Sequence, residues 1–318
     1  RDGKELLRLH RGWRDAAQTE PWDDDTLVLV WSTTKGPAAA CALLAMQEAG
    51  GAPGVPGAQV WPEFGAAGKE RVTLSELLAH RAGMAVLERE GLDVFDLEGV
   101  ASALAAEPPN WVPGTAHGYA PRTSGFWLDA LVRRLAGKSL GRYWREKFAD
   151  PLGLDFWIGL PDSEHGRMAR MHAARVEDLK EPGPFEKALA DPSSLTARSF
   201  AQPAGVAGAS ATNRPQVWRA ENPSFGGIGS ARALAGFYER LAAGDFLSGP
   251  WRDALTTRFS NGPDLILRQP TAFSAGFMMD PLDASGAKVR SALGTSLDAF
   301  GHPGAGGSLA FADAQSRI

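Results

Sequence analysis

Apolar positions recur along the chain with two different periods, and the change of period divides it into a helical middle with strand-like ends. Across residues 123–135 they fall three and four apart, the spacing of one helix face, and Gly137 follows where such a helix would stop. Residues 230–243 repeat the pattern and meet Gly244. Thr73-Leu74-Ser75-Glu76 has the form of a capping box and predicts a short helix to His80, while Ser139 is placed to cap a helix ending at Phe148, ahead of Pro151. By contrast, Leu7 and Leu9 alternate with Arg8 and His10, a strand signal that leads into turn-rich residues 12–25. The short Gly-bounded runs 273–279 and 308–312 also read as strands. Strands at both termini around a helical middle predict an α+β fold, an α/β sandwich plus a helical lobe. One antiparallel sheet is expected from both chain ends, with an all-helical insertion. The expected sheet region is 1–40 and 226–318, the mainly helical region 41–225, and a site is expected between them. Residues 50–57 and 192–215 read as loops, and the chain holds no internal repeat.

Across residues 26–47, TLVLVWSTTKGPAAACALLAMQ, Lys35 is the only charged side chain. A membrane span fits poorly, because Ser32-Thr33-Thr34-Lys35-Gly36-Pro37 interrupts the run at its centre, where lipid tolerates it least. A buried strand feeding a buried helix fits better. Pro37 lacks an N–H and belongs in a first helical turn, so the helix begins near Ser32 or Thr33. Ser32 and Lys35 then lie three apart on one face, within contact range. A lysine enclosed by Trp31 and an alanine-rich helix loses solvation, which makes a neutral amine available near neutral pH to take the serine proton. A helix start also favours a developing oxyanion. Ser at a helix start is commonplace, but an unpaired buried lysine is costly without a purpose.

Composition narrows the classes. The 318 residues are 44% hydrophobic and 22% charged, ordinary for a globular chain, which excludes disorder and collagen-like structure. A net charge of −4 and a pI near 5.9 provide no electrostatic footprint for nucleic acid or an anionic membrane. Cys41 is the sole cysteine, so an intrachain disulfide and a cysteine-based zinc site are both ruled out. His165 and His172 lack the spacing of a helical metal motif and read as surface or loop residues. His80 reads as a structural hydrogen-bonding residue, Cys41 as a small buried hydrophobe, and Trp31, Trp111 and Trp127 as core, the first two close to a motif. Charged residues 1–13 contain no apolar stretch before a small-residue cleavage site, so a cytoplasmic location is the default expectation, with a removed leader left open.

Two later segments give Ser32-Thr33-Thr34-Lys35 a context. Pro113-Gly114-Thr115-Ala116-His117-Gly118-Tyr119-Ala120-Pro121 and Phe300-Gly301-His302-Pro303-Gly304-Ala305-Gly306-Gly307-Ser308 resemble the second and third motifs of the serine β-lactamase and penicillin-binding-protein superfamily. Leu77-Leu78-Ala79-His80-Arg81-Ala82-Gly83 and Asn222-Pro223-Ser224-Phe225-Gly226-Gly227-Ile228-Gly229 resemble its class C-like branch, which contains the family VIII carboxylesterases. The resemblance spans residues 1–318 and implies Ser32 as nucleophile, Lys35 as its activator and Tyr119 as a second proton carrier. It implies backbone N–H groups of Ser32 and Ala305 as the oxyanion hole, and Gly304 as the residue keeping the third-motif strand open for substrate. His302 takes the family lysine's place. With an ordinary pKa of about 6.5 it would be largely neutral at pH 7, a poor anchor for a carboxylate, and would add a pH-profile feature at about 5.5–7.5. The tyrosine motif usually ends in Asn, whereas position 121 is Pro, which tells against lactam recognition. The resemblance therefore implies a serine hydrolase of carboxylic esters with a Ser32 acyl-enzyme, a small-molecule ester or amide substrate, and neither cofactor nor metal. A β-lactamase or D-alanyl-D-alanine carboxypeptidase is the enzymatic alternative. A non-catalytic penicillin-binding-like protein is the other, and a costly buried amine argues against it.

Overall fold

The uncharged run around Lys35 forms a strand, a 3-10 turn and a long helix in direct succession: β1 (Val28–Leu29), the turn Trp31–Thr34, and α1 (Lys35–Glu48). These and all other elements come from a computed structural model, which describes residues 3–173 and 181–318. From Lys35 to Met46 every residue of α1 is buried, so the helix runs through the middle of the molecule, as an all-round apolar helix must. Its alanines leave room for close neighbours. Four more helices follow: α2 (Leu74–Leu78), α3 (Leu97–Ala106), α4 (Ser124–Ala136) and α5 (Leu140–Trp144), and α4 and α5 pack against α1. The capping box is present, with Glu76 N donating to Thr73 Oγ1 and Thr73 N to Glu76 Oε2 at 3.0 Å. Gly137 ends α4 in the left-handed conformation at φ +67°, and Gly244, at φ +88°, likewise ends the Ser230-capped helix Ala231–Ala243.

The strands form two antiparallel sheets. A three-stranded sheet pairs β1 and β2 (Phe156–Ile158) on either side of β3 (Gly227–Gly229), with Leu29 opposite Ile228. A five-stranded meander runs in chain order through β4 (Ser260–Pro263), β5 (Pro270–Phe273), β6 (Met278–Met279), β7 (Phe300–Pro303) and β8 (Leu309–Ala312). The result is a mixed α+β fold. Among the described residues no helix is long and apolar enough to cross a membrane.

The larger sheet is not built from both chain ends. All five strands come from residues 260–312, and described residues 3–25 contribute only an isolated bridge between Trp13 and Pro21; Arg1 and Asp2 lie outside the described residues. Leu6, Leu7 and Leu9 are 71%, 74% and 82% exposed, so their alternation has no buried face to anchor it, and period-two patterning specifies a strand only through such a face. The 273–279 run is two strands, because Ser274 N bonds to Phe277 O at 2.9 Å and Gly276 turns the chain at φ +86°. After α5 the helix does not stop at Phe148 but continues through a π turn, Arg145–Ala149, into Asp150–Leu152. Gly153, at φ +61°, ends it in the left-handed conformation. Within 192–215, expected as loop, Ser194 caps a helix at Leu195–Ala201.

Candidate active site

The chain enters the site through a strained residue. Trp31 has φ +50°, a left-handed conformation that a bulky side chain rarely adopts and that surrounding bonds must enforce. Val30 N donates to Gly227 O at 2.9 Å, Thr34 Oγ1 donates to Trp31 O, and Gly227 N donates to Thr34 Oγ1 at 2.8 Å. This bracing turns the chain sharply out of β1 and leaves Ser32 half-buried in the first turn, where backbone N–H groups have no helical acceptor.

Lys35 is 2% exposed, and its Nζ lies 3.2 Å from Ser32 Oγ, 2.9 Å from Pro121 O and 2.6 Å from Ser224 O. Burial holds its pKa well below the ordinary lysine range. The two carbonyls can only accept, so Lys35 gives each of them an N–H, and its remaining position faces the Ser32 hydroxyl. Ser224 is a residue that sequence reasoning missed, since it acts through its main chain. Its hydroxyl accepts from Gly125 N at 2.8 Å and donates to Arg122 O, which ties its loop to the start of α4. Asn222 Oδ1 accepts from Ser224 N at 3.0 Å, a local turn signal within the 222–229 segment that carries the family resemblance.

Tyr119 is buried with its ring 5.0 Å from Lys35 Nζ, and among the described residues its hydroxyl has no hydrogen-bond partner. Burial pushes the phenol well above its usual range, and the nearby Ser32 hydroxyl opposes that shift without reaching hydrogen-bond geometry. The ring stacks on Phe273 at 6.0 Å and lies 5.3 Å from His80 and 5.7 Å from His302. Asp264, also missed, fixes the main chain: its carboxylate accepts from Tyr119 N at 3.1 Å, Ile266 N at 2.8 Å and Leu267 N at 2.9 Å. Thr271 Oγ1 donates to Asp264 at 2.8 Å, so its oxygen is free to accept from His117 Nε2 at 2.9 Å. His117 thus belongs to the support of Tyr119. His80 accepts from Ala120 N at 3.2 Å, the structural bond expected of it.

In the third motif, His302 is 1% exposed and its Nδ1 donates to Pro303 O at 2.7 Å, which leaves Nε2 as an acceptor without a partner among the described residues. Burial and then the Lys35 charge bring its pKa down to about 3, against the opposing Pro303 carbonyl. The titration expected at about 5.5–7.5 is therefore corrected: the imidazole is neutral throughout that range. At Gly304 a Cβ would lie 2.2 Å from Ser308 Oγ and 2.3 Å from Val30 O, so the glycine permits close contact with the nucleophile turn. Ala305 is exposed in the turn between β7 and β8, and among the described residues its N–H has no acceptor. Trp127 and Cys41 are core residues, and burial raises the thiol pKa. Trp31 is half-buried with its ring 6.2 Å from that of Phe225. His165 packs on Trp218 at 5.0 Å, and His172 is exposed.

A serine with a buried lysine, beside a tyrosine hydroxyl unpartnered among the described residues and a Gly-rich strand turn, is accompanied by a match over residues 1–318 to the family model described as Beta-lactamase. The chain belongs to the beta-lactamase family. This family member is 28% identical over 335 residues to Esterase/beta-lactamase LipL of Mycobacterium tuberculosis, an alignment covering 100% of the chain and 73% of that protein. It superposes on a penicillin-binding protein homolog from Caulobacter crescentus with a TM-score of 0.81 and 34% identity, covering 96% of the chain and 80% of that structure. For the structure of a family VIII carboxylesterase the TM-score is 0.82 and the identity 33%, covering 96% of the chain and 79% of that structure. As a beta-lactamase-family chain it is a serine hydrolase, and its α+β architecture is that of these neighbours.

Proposed function

We propose that the chain cleaves carboxylic esters through an acyl-enzyme on Ser32. The observation that carries this is the Lys35 amine, desolvated, held by two carbonyls and 3.2 Å from Ser32 Oγ, where its neutral form directs a lone pair at the hydroxyl. Lys35 takes the Ser32 proton as Oγ bonds to the ester carbonyl carbon, and the N–H groups of Ser32 and Ala305 receive the oxyanion. Tyr119 relays a proton to the departing alkoxide, which leaves as the alcohol. Water then attacks the acyl carbon as its proton passes through the Tyr119 hydroxyl to the Lys35 amine, which returns it to Ser32 Oγ as the acid departs. A preference for esters over lactams follows from two residues. Pro121 offers only a carbonyl, already engaged with Lys35, where the family motif carries a side-chain amide, and a neutral His302 exerts no pull on a substrate carboxylate. The name of the Mycobacterium tuberculosis relative and the carboxylesterase neighbour support the same choice.

The same reading takes residues 1–40 and 226–318 as one lobe and 41–225 as the other. Packing of the Trp31–Thr34 turn on β7 supports the first lobe, whereas α1 crosses the 40/41 boundary and β2 of 41–225 pairs with β3 of 226–318. Intact mass after a fluorophosphonate, and separately after a fluorescent penicillin, tests the function. A single fluorophosphonate adduct on Ser32 is expected, absent in Ser32→Ala, together with loss of short-chain aryl ester hydrolysis and an unchanged circular dichroism spectrum. Retained hydrolysis in Ser32→Ala would overturn the assignment, and rapid turnover of the penicillin would favour a lactamase.

A further inference from the structure

We propose that Thr33 and Ser308 are positioning residues whose hydroxyls lock the turn carrying Ala305 onto the turn carrying Ser32, setting the spacing of the two oxyanion-hole N–H groups. This rests on the acyl-enzyme reading above. Ser308 Oγ lies 2.6 Å from Val30 O and 2.9 Å from Thr33 Oγ1. A carbonyl oxygen can only accept, so Ser308 spends its one hydrogen on Val30, and Thr33 must donate to Ser308. The chain of bonds therefore has one direction, from Thr33 through Ser308 to Val30. Val30 and Thr33 bracket Trp31 and Ser32, and Thr33 is fully buried.

On the other side, Gly304 N donates to Ser308 O at 2.8 Å and Gly307 N to Gly304 O at 3.0 Å, which makes residues 304–308 one closed turn with Ala305 inside it. The glycines flanking Ala305 straddle the nucleophile turn. A Cβ on Gly304 would meet Val30 O at 2.3 Å and Thr33 Oγ1 at 3.1 Å, and one on Gly306 would meet the Trp31 indole at 2.8 Å. Three glycines in five residues give this turn wide backbone freedom, and its tip is exposed, so local preferences cannot hold Ala305 N–H in place. An oxyanion hole needs its donors about 2.7–3.1 Å from the developing charge, and a misplacement of about 1 Å costs on the order of 100-fold in rate. The hydroxyl pair, joining residues 275 apart in sequence, supplies a restraint of that kind, and no step of the chemistry otherwise uses it.

The test compares Ser308→Ala, Thr33→Val, their double variant and Thr33→Ser, using a neutral aryl ester and an alkylboronic acid as tetrahedral-intermediate mimic. Each hydroxyl deletion is expected to lower kcat by about 10–100-fold with KM within about twofold, and to weaken boronate binding by the same factor as kcat/KM. The double variant should be no worse than the more damaged single one, and Thr33→Ser should retain most of the rate because it keeps the hydroxyl. Thr33→Val conserves volume, so it reports on the bond even where Ser308→Ala folds poorly. Unchanged kcat in Thr33→Val, a loss confined to KM, unaltered boronate affinity, additive losses, or Thr33→Ser as impaired as Thr33→Val would each overturn the proposal. Fluorophosphonate labelling separates the two levels. An unlabelled wild type removes the acyl-enzyme reading, whereas a labelled wild type with equal rates in the hydroxyl deletions removes only the positioning role.

Discussion

Lys35 illustrates how far one residue's environment decides its chemistry. The same side chain on the surface would be an ammonium, but here burial lowers its pKa and two carbonyls fix its geometry. Lys35→Ala should reduce kcat/KM for an aryl ester nearly as much as Ser32→Ala. The double variant should lose no more than either alone, since the two act as one proton-transfer unit, and a steady-state comparison of the three checks it. His302 makes a second prediction with a definite sign. Its pKa of about 3 leaves it uncharged from about pH 5 upward, so the ratio of kcat/KM for carboxylate-bearing over neutral esters should be flat from about pH 5 to 9. Taking the ratio cancels the protonation of Lys35, which affects both substrates. His302→Lys should raise the ratio at neutral pH by placing a cation there. A wild-type ratio that climbs as the pH falls from 7 to 5 would contradict the neutral assignment.

Among the elements, α4 and the loop 222–229 show packing and chemistry joined at a glycine. A Cβ on Gly125 would lie 2.3 Å from Ser224 N and 2.6 Å from Pro223 C, main-chain atoms that cannot swing aside. Gly125→Ala should therefore push away the loop whose Ser224 carbonyl holds Lys35, costing about 1–3 kcal/mol of stability as overpacking does. Activity should fall along with it. Chemical denaturation with parallel ester kinetics checks the pairing, and a variant destabilised but fully active would separate the loop's position from Lys35. The helices were legible because their signals are local: Thr73 with Glu76, Ser139, Ser230, Gly137 and Gly244 each act within one turn of their own position. The N-terminal alternation was misleading for the opposite reason, since a strand requires a partner that no local pattern specifies.

For the whole molecule, the histidines around Tyr119 link stability to pH. His80 and His302 are buried and neutral, with pKa values below the unfolded value of about 6.5, each chiefly through burial. The unfolded chain therefore binds more protons in acid, so stability is fully present above about pH 6.5 and falls as the pH drops toward 3, with a slope of up to about 1.4 kcal/mol per pH unit for each histidine. Thermal unfolding between pH 7 and 4.5 should show this decline, and His302→Gln should remove part of it; an unchanged slope would place the proton uptake elsewhere. The amino-acid order alone determined what rests on neighbours in sequence: the capped helices, the Ser32 and Lys35 spacing, and the motif glycines. Tertiary structure alone decided what depends on residues far apart. Ser224 and Pro121 carbonyls aim the amine across 189 and 86 residues, Asp264 anchors Tyr119 across 145, and Ser308 reaches Val30 across 278. The shift of His302 to about 3 and the closed space beside Gly304 arise the same way, because desolvation and steric contact belong to the packed environment and not to the residue that experiences them.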